Sequence, residues 1–132
     1  MAAALEKVTD CVQICAPHLG QEAAIYGLGH LDAWRRENAD VMAGRAEAIK
    51  RAFTRNDLRY ELVSAGAYFA YVRHPYEDRS DIEVAQSLAR EQGLLVLPGS
   101  WFGPGQERYL RFAFANLDES AMPEIVERLA AS

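Results

Sequence analysis

Residues 94–115 read LLVLPGSWFGPGQERYLRFAFA, and this stretch decides the fold. Four apolar residues, 94–97, lie between a glycine and a Pro-Gly pair, which predicts a short interior strand. Glycines and prolines then mark a loop that contains Trp101 and Phe102. The alternating residues that follow predict a second strand, so the stretch reads as strand, loop and strand.

The second strand carries a charged residue opposite its core face. Alternation divides the strand into two sets, with Leu110, Phe112 and Phe114 on one face and Tyr109, Arg111 and Ala113 on the other. The guanidinium of Arg111 is permanently charged, and its planar donors match carboxylate or phosphate oxygens two at a time. Arg111 is therefore a candidate anion-binding residue. The alternative is an ordinary structural ion pair with a nearby Asp or Glu.

Composition excludes several classes of protein. A chain of 132 residues and 14.7 kDa fits one domain, and half of its residues are hydrophobic, as in a soluble globular protein. The net charge of -5 and the pI near 5.2 argue against nucleic-acid binding, which needs a basic surface. We find no apolar run of about 18 residues and no signal peptide, so we expect neither a membrane span nor secretion, and a cytoplasmic location.

Cys11, Cys15 and His18 are close together in sequence and raise the question of a metal site. We favour a different interpretation, in which both cysteines are small buried residues on one face of a helix with reduced thiols. We therefore expect no metal site.

The rest of the chain predicts alternating helices and strands. Helices are expected over residues 4–15 and 21–53, from Ser80 to Gly93, and from residues 118–120 onward; strands are expected over residues 59–63 and 67–72. The helix over 21–53 has an alternative, two helices broken near residues 38–40. Ser80 and Glu83 form a capping-box pattern, and Ile82, Ala85, Leu88 and Ala89 are expected to face the core. Together these elements predict a two-layer α/β (α+β) sandwich, about four strands covered by helices on one face.

Several of these motifs together resemble the small domain of class I/II, fold-type I aminotransferases, which use pyridoxal 5'-phosphate. The motifs are GAYFAYV, a capped helix, GLLVLPGSWFG, YLRFAFAN and a closing amphipathic helix. APHLGQEAAIYGL also resembles the family segment that precedes the long interdomain helix, so the resemblance covers nearly the whole chain. It implies three parts: the end of a large-domain region in residues 1–20, an interdomain helix in 21–53, and the small domain in 54–132.

The resemblance also implies roles for two residues. In the family the arginine of the matching strand binds the substrate α-carboxylate through two hydrogen bonds, and that residue here is Arg111. The aromatic residue after the glycine turn lies near the substrate in many members, and its counterpart here is Tyr68.

The cofactor chemistry of the family needs a lysine that forms a Schiff base. The only lysines are Lys7 and Lys50, and neither has the small or hydroxyl neighbours usual at that position. We therefore expect no catalytic or cofactor-binding residue in this chain, no bound pyridoxal phosphate, and a missing large domain that carries the lysine.

The expected function is thus that of one domain of a larger enzyme, inactive by itself, that transfers an amino group between an amino acid and a 2-oxo acid. The resemblance implies a homodimer for the intact enzyme. The alternatives are a stand-alone module that binds a small carboxylate, or the small domain of a decarboxylase or acyltransferase of the same fold. Without a large domain, Leu28, Leu31 and Trp34 are expected to be exposed and to drive association of the isolated chain.

Overall fold

The structure is a computed structural model that describes residues 2–12 and 15–132. It divides into two units, Met1–Asn38 and Ala39–Ser132, and the third helix runs through the boundary between them. The predicted helix over residues 4–15 is α1, Ala2–Val12; residues 13 and 14 lie outside the described residues.

The first unit contains α1, α2 (His18–His30) and the start of α3 (Asp32–Ala52). The single helix predicted over residues 21–53 is wrong, and so is the alternative break near residue 38, because the helices separate at Leu31. Leu31 has φ -106° and ψ 27°, outside the helical basin. Gly27 and Gly29 lie just before this point and lower the helical propensity of the last turn of α2.

Many apolar side chains of the first unit are exposed. None of the described residues of α1 and α2 is buried, and the exposed apolar side chains are Leu5, Val8, Val12, Leu19, Ile25, Tyr26, Leu28, Leu31 and Trp34. Exposure of the last three confirms the sequence prediction, while self-association stays a prediction. Cys11 and Cys15 are also exposed, so their predicted burial is wrong. The reason is that no part of this unit that the structure describes packs over either side chain.

The second unit contains an antiparallel sheet of four strands. The strands are β1 (Glu61–Gly66), β2 (Phe69–Arg73), β3 (Leu97–Pro98) and β4 (Tyr109–Ala113), and their order across the sheet is β1-β2-β4-β3. β1 is an edge strand of this sheet. Tyr71 lies opposite Arg111 across the β2–β4 pair, and Leu97 lies opposite Arg111 on the other side. Arg111 is therefore flanked by a strand on each side.

The core lies on one face of the sheet, and three helices contribute to it. Ala70 and Val72 of β2 and Leu110 and Phe112 of β4 are buried there, followed by Phe114 just after β4. Ala48 and Ile49 of α3 belong to this cluster, together with residues of α4 (Asp81–Glu91) and α5 (Met122–Ala130): Val84, Ala85, Leu88, Met122, Ile125 and Leu129. The α+β fold and the core face predicted for β4 are therefore confirmed.

The helix ends follow the predicted local chemistry. The side chain of Ser80 accepts a hydrogen bond from the backbone of Glu83, whose carboxylate accepts one from the backbone of Ser80, which completes the capping box. Gly93 has φ 64°, as expected for a left-handed residue after a helix. Pro123 lies in the first turn of α5, where its missing N–H costs little.

The strand boundaries differ from the predictions. The turn between β1 and β2 falls at Ala67, which has φ 50°, and not at the glycine before it, so β2 begins at Phe69. The strand predicted over residues 94–97 is only Leu97–Pro98, and Leu95 is 87% exposed. The buried face of α4 is also shifted: Ala85 and Leu88 are buried as predicted, but Ile82 and Ala89 are exposed. Val84 is buried instead, because it lies one turn before Leu88.

Candidate functional site

Arg111 is contacted by two aromatic rings on the face of the sheet opposite the core. Its guanidinium carbon Cζ lies 4.3 Å from the centroid of the Phe69 ring and 4.0 Å from the centroid of the Phe102 ring. Phe69 is the first residue of β2, and Phe102 ends the 3-10 turn Gly99–Phe102 that follows β3. Three separate segments therefore meet at this guanidinium, and we call this group of three residues the Arg111 site.

The guanidinium of Arg111 has no carboxylate partner among the residues that the structure describes. Its Nε atom is buried and has no hydrogen-bond partner. Cation–π contacts of this kind stabilise a cation by about 0.5–1 kcal/mol at exposed sites and by more where water is excluded. They leave the hydrogen-bonding capacity of the guanidinium in place, since a ring face accepts no conventional hydrogen bond. An arginine in this state suits a planar anion.

Other aromatic and charged residues on the same face are already paired. The rings of Tyr71 and Tyr109 stack at 5.1 Å between centroids, and the Tyr71 hydroxyl donates to Oε1 of Gln106 at 2.7 Å. Burial, with smaller contributions from Tyr109 and Asp81, raises the pKa of Tyr71, which keeps this hydroxyl protonated as a donor. Arg73 pairs with Glu61 at 3.0 Å. Arg73 and Arg111 thus share a face of the sheet, but of these two only Arg73 has an acidic partner among the described residues.

The rings of Tyr68 and Trp101 do not form the cation–π contacts with Arg111 that Phe69 and Phe102 form. Tyr68 lies in the turn before β2, is 56% exposed, and its ring meets the Phe69 ring edge-on at 6.4 Å between centroids. Trp101 is 65% exposed in the turn before Phe102. The contacts from Phe69 and Phe102 were not predicted. The alternation of β2 places Phe69 on the same face as Tyr71, but this signal is readable only when the register of β2 is known.

Neither lysine is placed as a cofactor lysine would be. Lys7 lies exposed on α1, a helix with no buried residue. Lys50 on α3 donates to Oε1 of Glu47 at 2.8 Å, and this bond and charge lower the pKa of the Glu47 carboxyl. A lysine that forms a Schiff base needs a site shielded from water and a neutral amine, so the residues of this chain do not fit covalent attachment of pyridoxal phosphate.

Two further kinds of feature lie outside the Arg111 site. In the stretches 2–12 and 15–132 we find no group of three metal-ligating side chains, and no helix there is long and apolar enough to cross a bilayer. An apolar cavity of about 380 Å³ is lined by residues that include Leu94, Phe114, Ile125 and Arg128, but Arg111 does not line it.

The second unit is thus an antiparallel α+β domain in which a half-buried arginine packs against two aromatic rings and has no acidic partner among the described residues. The particular family is shown by comparison with known proteins. The chain belongs to the aminotransferase class I and II family, whose sequence model matches residues 2–129.

The individual relatives agree on the family. The chain is 29% identical to the aromatic aminotransferase ISS1 of Arabidopsis thaliana, over 97% of the chain and 32% of that protein. It is similar to the structure of an aminotransferase from Staphylococcus aureus, with a TM-score of 0.77 and 29% identity over 98% of the chain and 34% of that structure. It also shares the fold of the α-aminoadipate aminotransferase LysN from Thermus thermophilus, solved with N-(5'-phosphopyridoxyl)-L-leucine, with a TM-score of 0.74 and 24% identity over 99% of the chain and 35% of that structure. The chain spans about a third of the length of the curated relatives it matches.

Proposed function

We propose that this chain forms the substrate-carboxylate-binding part of a pyridoxal-phosphate-dependent aminotransferase, and that Arg111 binds the α-carboxylate. An amino acid and a 2-oxo acid share this carboxylate, so one arginine serves both halves of an amino-group transfer. Residues 54–132 would be the small domain, as the resemblance implies, and Tyr68 would lie near the bound substrate. A homodimer and a cytoplasmic location belong to the same proposal.

One observation carries the proposal: the guanidinium of Arg111 is half-buried, packed against Phe69 and Phe102, and has no acidic partner among the described residues. An arginine kept for structure is expected to pair with a carboxylate, as Arg73 does with Glu61. Leaving a partly desolvated guanidinium unpaired costs stability, which a bound carboxylate would offset. Family membership supports the identity of that carboxylate.

The role of Arg111 is binding and orientation. Two parallel N–H···O bonds from a guanidinium fix both the position and the plane of a carboxylate, and thereby the direction of the bonds at the adjacent carbon. The electron-withdrawing chemistry of the family is supplied by pyridoxal phosphate. Because Lys7 and Lys50 do not fit that cofactor, we assign no chemical step to residues of this chain, and we propose that the cofactor lysine belongs to another domain.

The test is Arg111→Ala in the holoenzyme that contains this chain. We expect KM for the amino acid and for the 2-oxo acid to rise about 100-fold or more, because a charge-assisted bidentate pair is lost. The matched control is Arg73→Ala, on the same face of the sheet but already paired with Glu61, for which we expect at most about a threefold change. Unchanged KM values for Arg111→Ala would contradict the carboxylate role.

A second test, on the chain by itself, examines the alternative that the chain is a stand-alone module that binds a small carboxylate. Pyruvate and alanine are titrated into the 132-residue chain, and the Nε–H signal of Arg111 is followed by NMR. We expect no saturation below about 1 mM, because carboxylate binding alone is weak without the rest of an active site. Saturation at lower concentration would instead favour a carboxylate-binding module. Addition of pyridoxal phosphate to the chain is expected to give no Schiff-base absorbance in either case.

A further inference from the structure

Asp81 is a buried acid whose position the helix cap does not explain. It is the first residue of α4, and only 2% of it is exposed. Aspartate is seldom buried without a specific partner, because removing a carboxylate from water is costly. The capping interactions of α4 are made by Ser80 and Glu83, which leaves the Asp81 side chain for another contact.

The partner of Asp81 lies in the turn that carries Phe102. Its Oδ2 accepts a hydrogen bond from the backbone N–H of Ser100 at 2.7 Å. Ser100 is the second residue of the 3-10 turn Gly99–Phe102, where the first N–H groups have no partner within the turn. A bond from a backbone N–H to a carboxylate is stronger than a neutral one, so this contact ties the turn firmly to α4.

The same turn packs closely against its surroundings at a second point, Gly99. A Cβ atom at Gly99 would collide with the backbone oxygen of Gln106, and it would lie 2.7 Å from that of Tyr109 and 3.0 Å from the Tyr71 hydroxyl. The backbone of the turn is therefore packed directly against the residues that lead into β4. With Gly99 against this segment and Ser100 bound to Asp81, little freedom remains for the end of the turn.

The end of the turn is Phe102, which contacts Arg111. Phe102 lies two residues after Ser100, and the centroid of its ring is 4.0 Å from Cζ of Arg111. Its side chain is 45% exposed, so packing around the ring does not by itself hold it in place. The position of this ring therefore depends on the backbone of the turn, and thus on the bond from Ser100 to Asp81.

We infer that Asp81 is a positioning residue for the Arg111 site, which it orders through the turn Gly99–Phe102. The inference rests on the proposed function of Arg111. When the turn is fixed, Phe102 and Phe69 both pack against the guanidinium, limit the rotamers of Arg111 and exclude water from it. The remaining N–H groups of Arg111 are then already oriented to bind a carboxylate. When the turn is released, the charge of Arg111 remains but its orientation is lost.

The test compares four variants of the holoenzyme. We expect Asp81→Ala to raise KM for amino acid and 2-oxo acid on the order of tenfold, with kcat changed less than about threefold, because orientation of the bound carboxylate is disturbed while the chemistry is supplied elsewhere. Phe102→Leu is expected to act in the same direction. Asp81→Asn retains an oxygen that accepts the Ser100 N–H, so it should restore KM to within about threefold of the wild type.

Glu83→Ala is the matched structural control. It removes half of the capping box of the same helix, and it should lower the melting temperature without altering KM beyond about twofold. On the 132-residue chain, the Nε–H proton of Arg111 provides a second measurement, since the neighbouring rings shift its NMR signal. We expect Asp81→Ala and Phe102→Leu to move this signal, and Asp81→Asn and Glu83→Ala to leave it unchanged.

The outcomes separate this inference from the proposed function. If Arg111→Ala leaves KM unchanged, the proposed function of Arg111 is wrong, whatever the Asp81 variants show. If Arg111→Ala raises KM while Asp81→Ala and Phe102→Leu do not, Arg111 binds the carboxylate but Asp81 does not position it. Equal changes in KM for Asp81→Ala and Glu83→Ala would mean that Asp81 acts only through the stability of the helix. This result would also overturn the inference.

Discussion

The two faces of the sheet are built from alternate residues of the same strands, yet they contain opposite kinds of chemistry. On the core face Leu110 is fully buried, and its neighbours there are apolar. On the other face the next residue, Arg111, contacts Phe69 and Phe102 and has no acidic partner in the described residues. The first face is packed against apolar side chains of the chain itself, while the second carries a guanidinium that no described carboxylate neutralises. Stability should therefore depend on the first face and ligand binding on the second.

The sharpest test of this difference is to truncate two consecutive residues of β4. Leu110→Ala should lower the free energy of unfolding of the chain by about 2–5 kcal/mol, because it leaves a cavity under a fully buried side chain. Arg111→Ala should change it by at most about 1–2 kcal/mol, because it removes two cation–π contacts but breaks no ion pair among the described residues. Urea denaturation followed by circular dichroism measures both values. Similar losses for the two variants would mean that Arg111 supports the fold, and the comparison of faces would fail.

A smaller effect is expected where the second face is joined to the Gly99–Phe102 turn. Gly99→Ala should destabilise the chain by about 1–3 kcal/mol, because the added methyl group meets backbone oxygens that cannot move easily. The control is Gly66→Ala at the end of β1, where no atom lies within 4 Å of the added group. We expect less than about 0.5 kcal/mol there. Equal losses at the two glycines would show that the turn is not closely seated against β4.

Local sequence patterns predicted the core face well. Strict alternation from Tyr109 onward distinguished buried Leu110 from Arg111, because side chains of a strand alternate whatever the strand packs against. The capping box at the start of α4 was likewise predicted, since it depends on residues within one turn of each other. Patterns that depend on distant partners were less reliable. The apolar run before β3 predicted a longer strand than the two residues that pair with β4.

The second face was predicted only in part. Arg111 stood out because a single charge interrupts an aromatic strand. Phe69, Phe102 and Asp81 were not identified, because each is separated from its partner by at least 9 and up to 42 positions, and these contacts depend on the register of β2 and on the path of the turn. The sequence therefore indicated the charged group of the site but not the residues that hold it.

His74 is a buried polar residue next to the sheet. It follows β2 and continues the buried series of Ala70 and Val72, with no part of it exposed. Its Nε2 lies 3.2 Å from the carbonyl oxygen of Glu107, which only accepts hydrogen bonds, so this nitrogen carries the proton and Nδ1 is left without a partner. His74 is thus a polar residue on the core face, as Arg111 is on the other.

Burial lowers the pKa of His74 below its ordinary value of about 6.5. Among its charged surroundings Arg108 and Arg79 lower the pKa, while the bond to Glu107 and the charge of Asp81 raise it. Because the unfolded chain takes up this proton at a higher pH than the folded chain, the free energy of unfolding should fall as the pH drops below about 6.5, until the folded pKa is reached. Above that window His74 is neutral in both states and contributes no pH dependence.

The measurement is urea denaturation of the wild type, His74→Gln and His30→Gln between pH 7.5 and the onset of carboxylate protonation at about pH 5. Glutamine keeps a donor for the Glu107 carbonyl but does not titrate, so His74→Gln should remove the loss of stability in this window. His30 is exposed on α2, and its replacement should leave the loss in place. If the wild type and His74→Gln follow the same pH profile, the histidine is not held neutral by the core face. The difference between the two faces of the sheet would then rest on Arg111 alone.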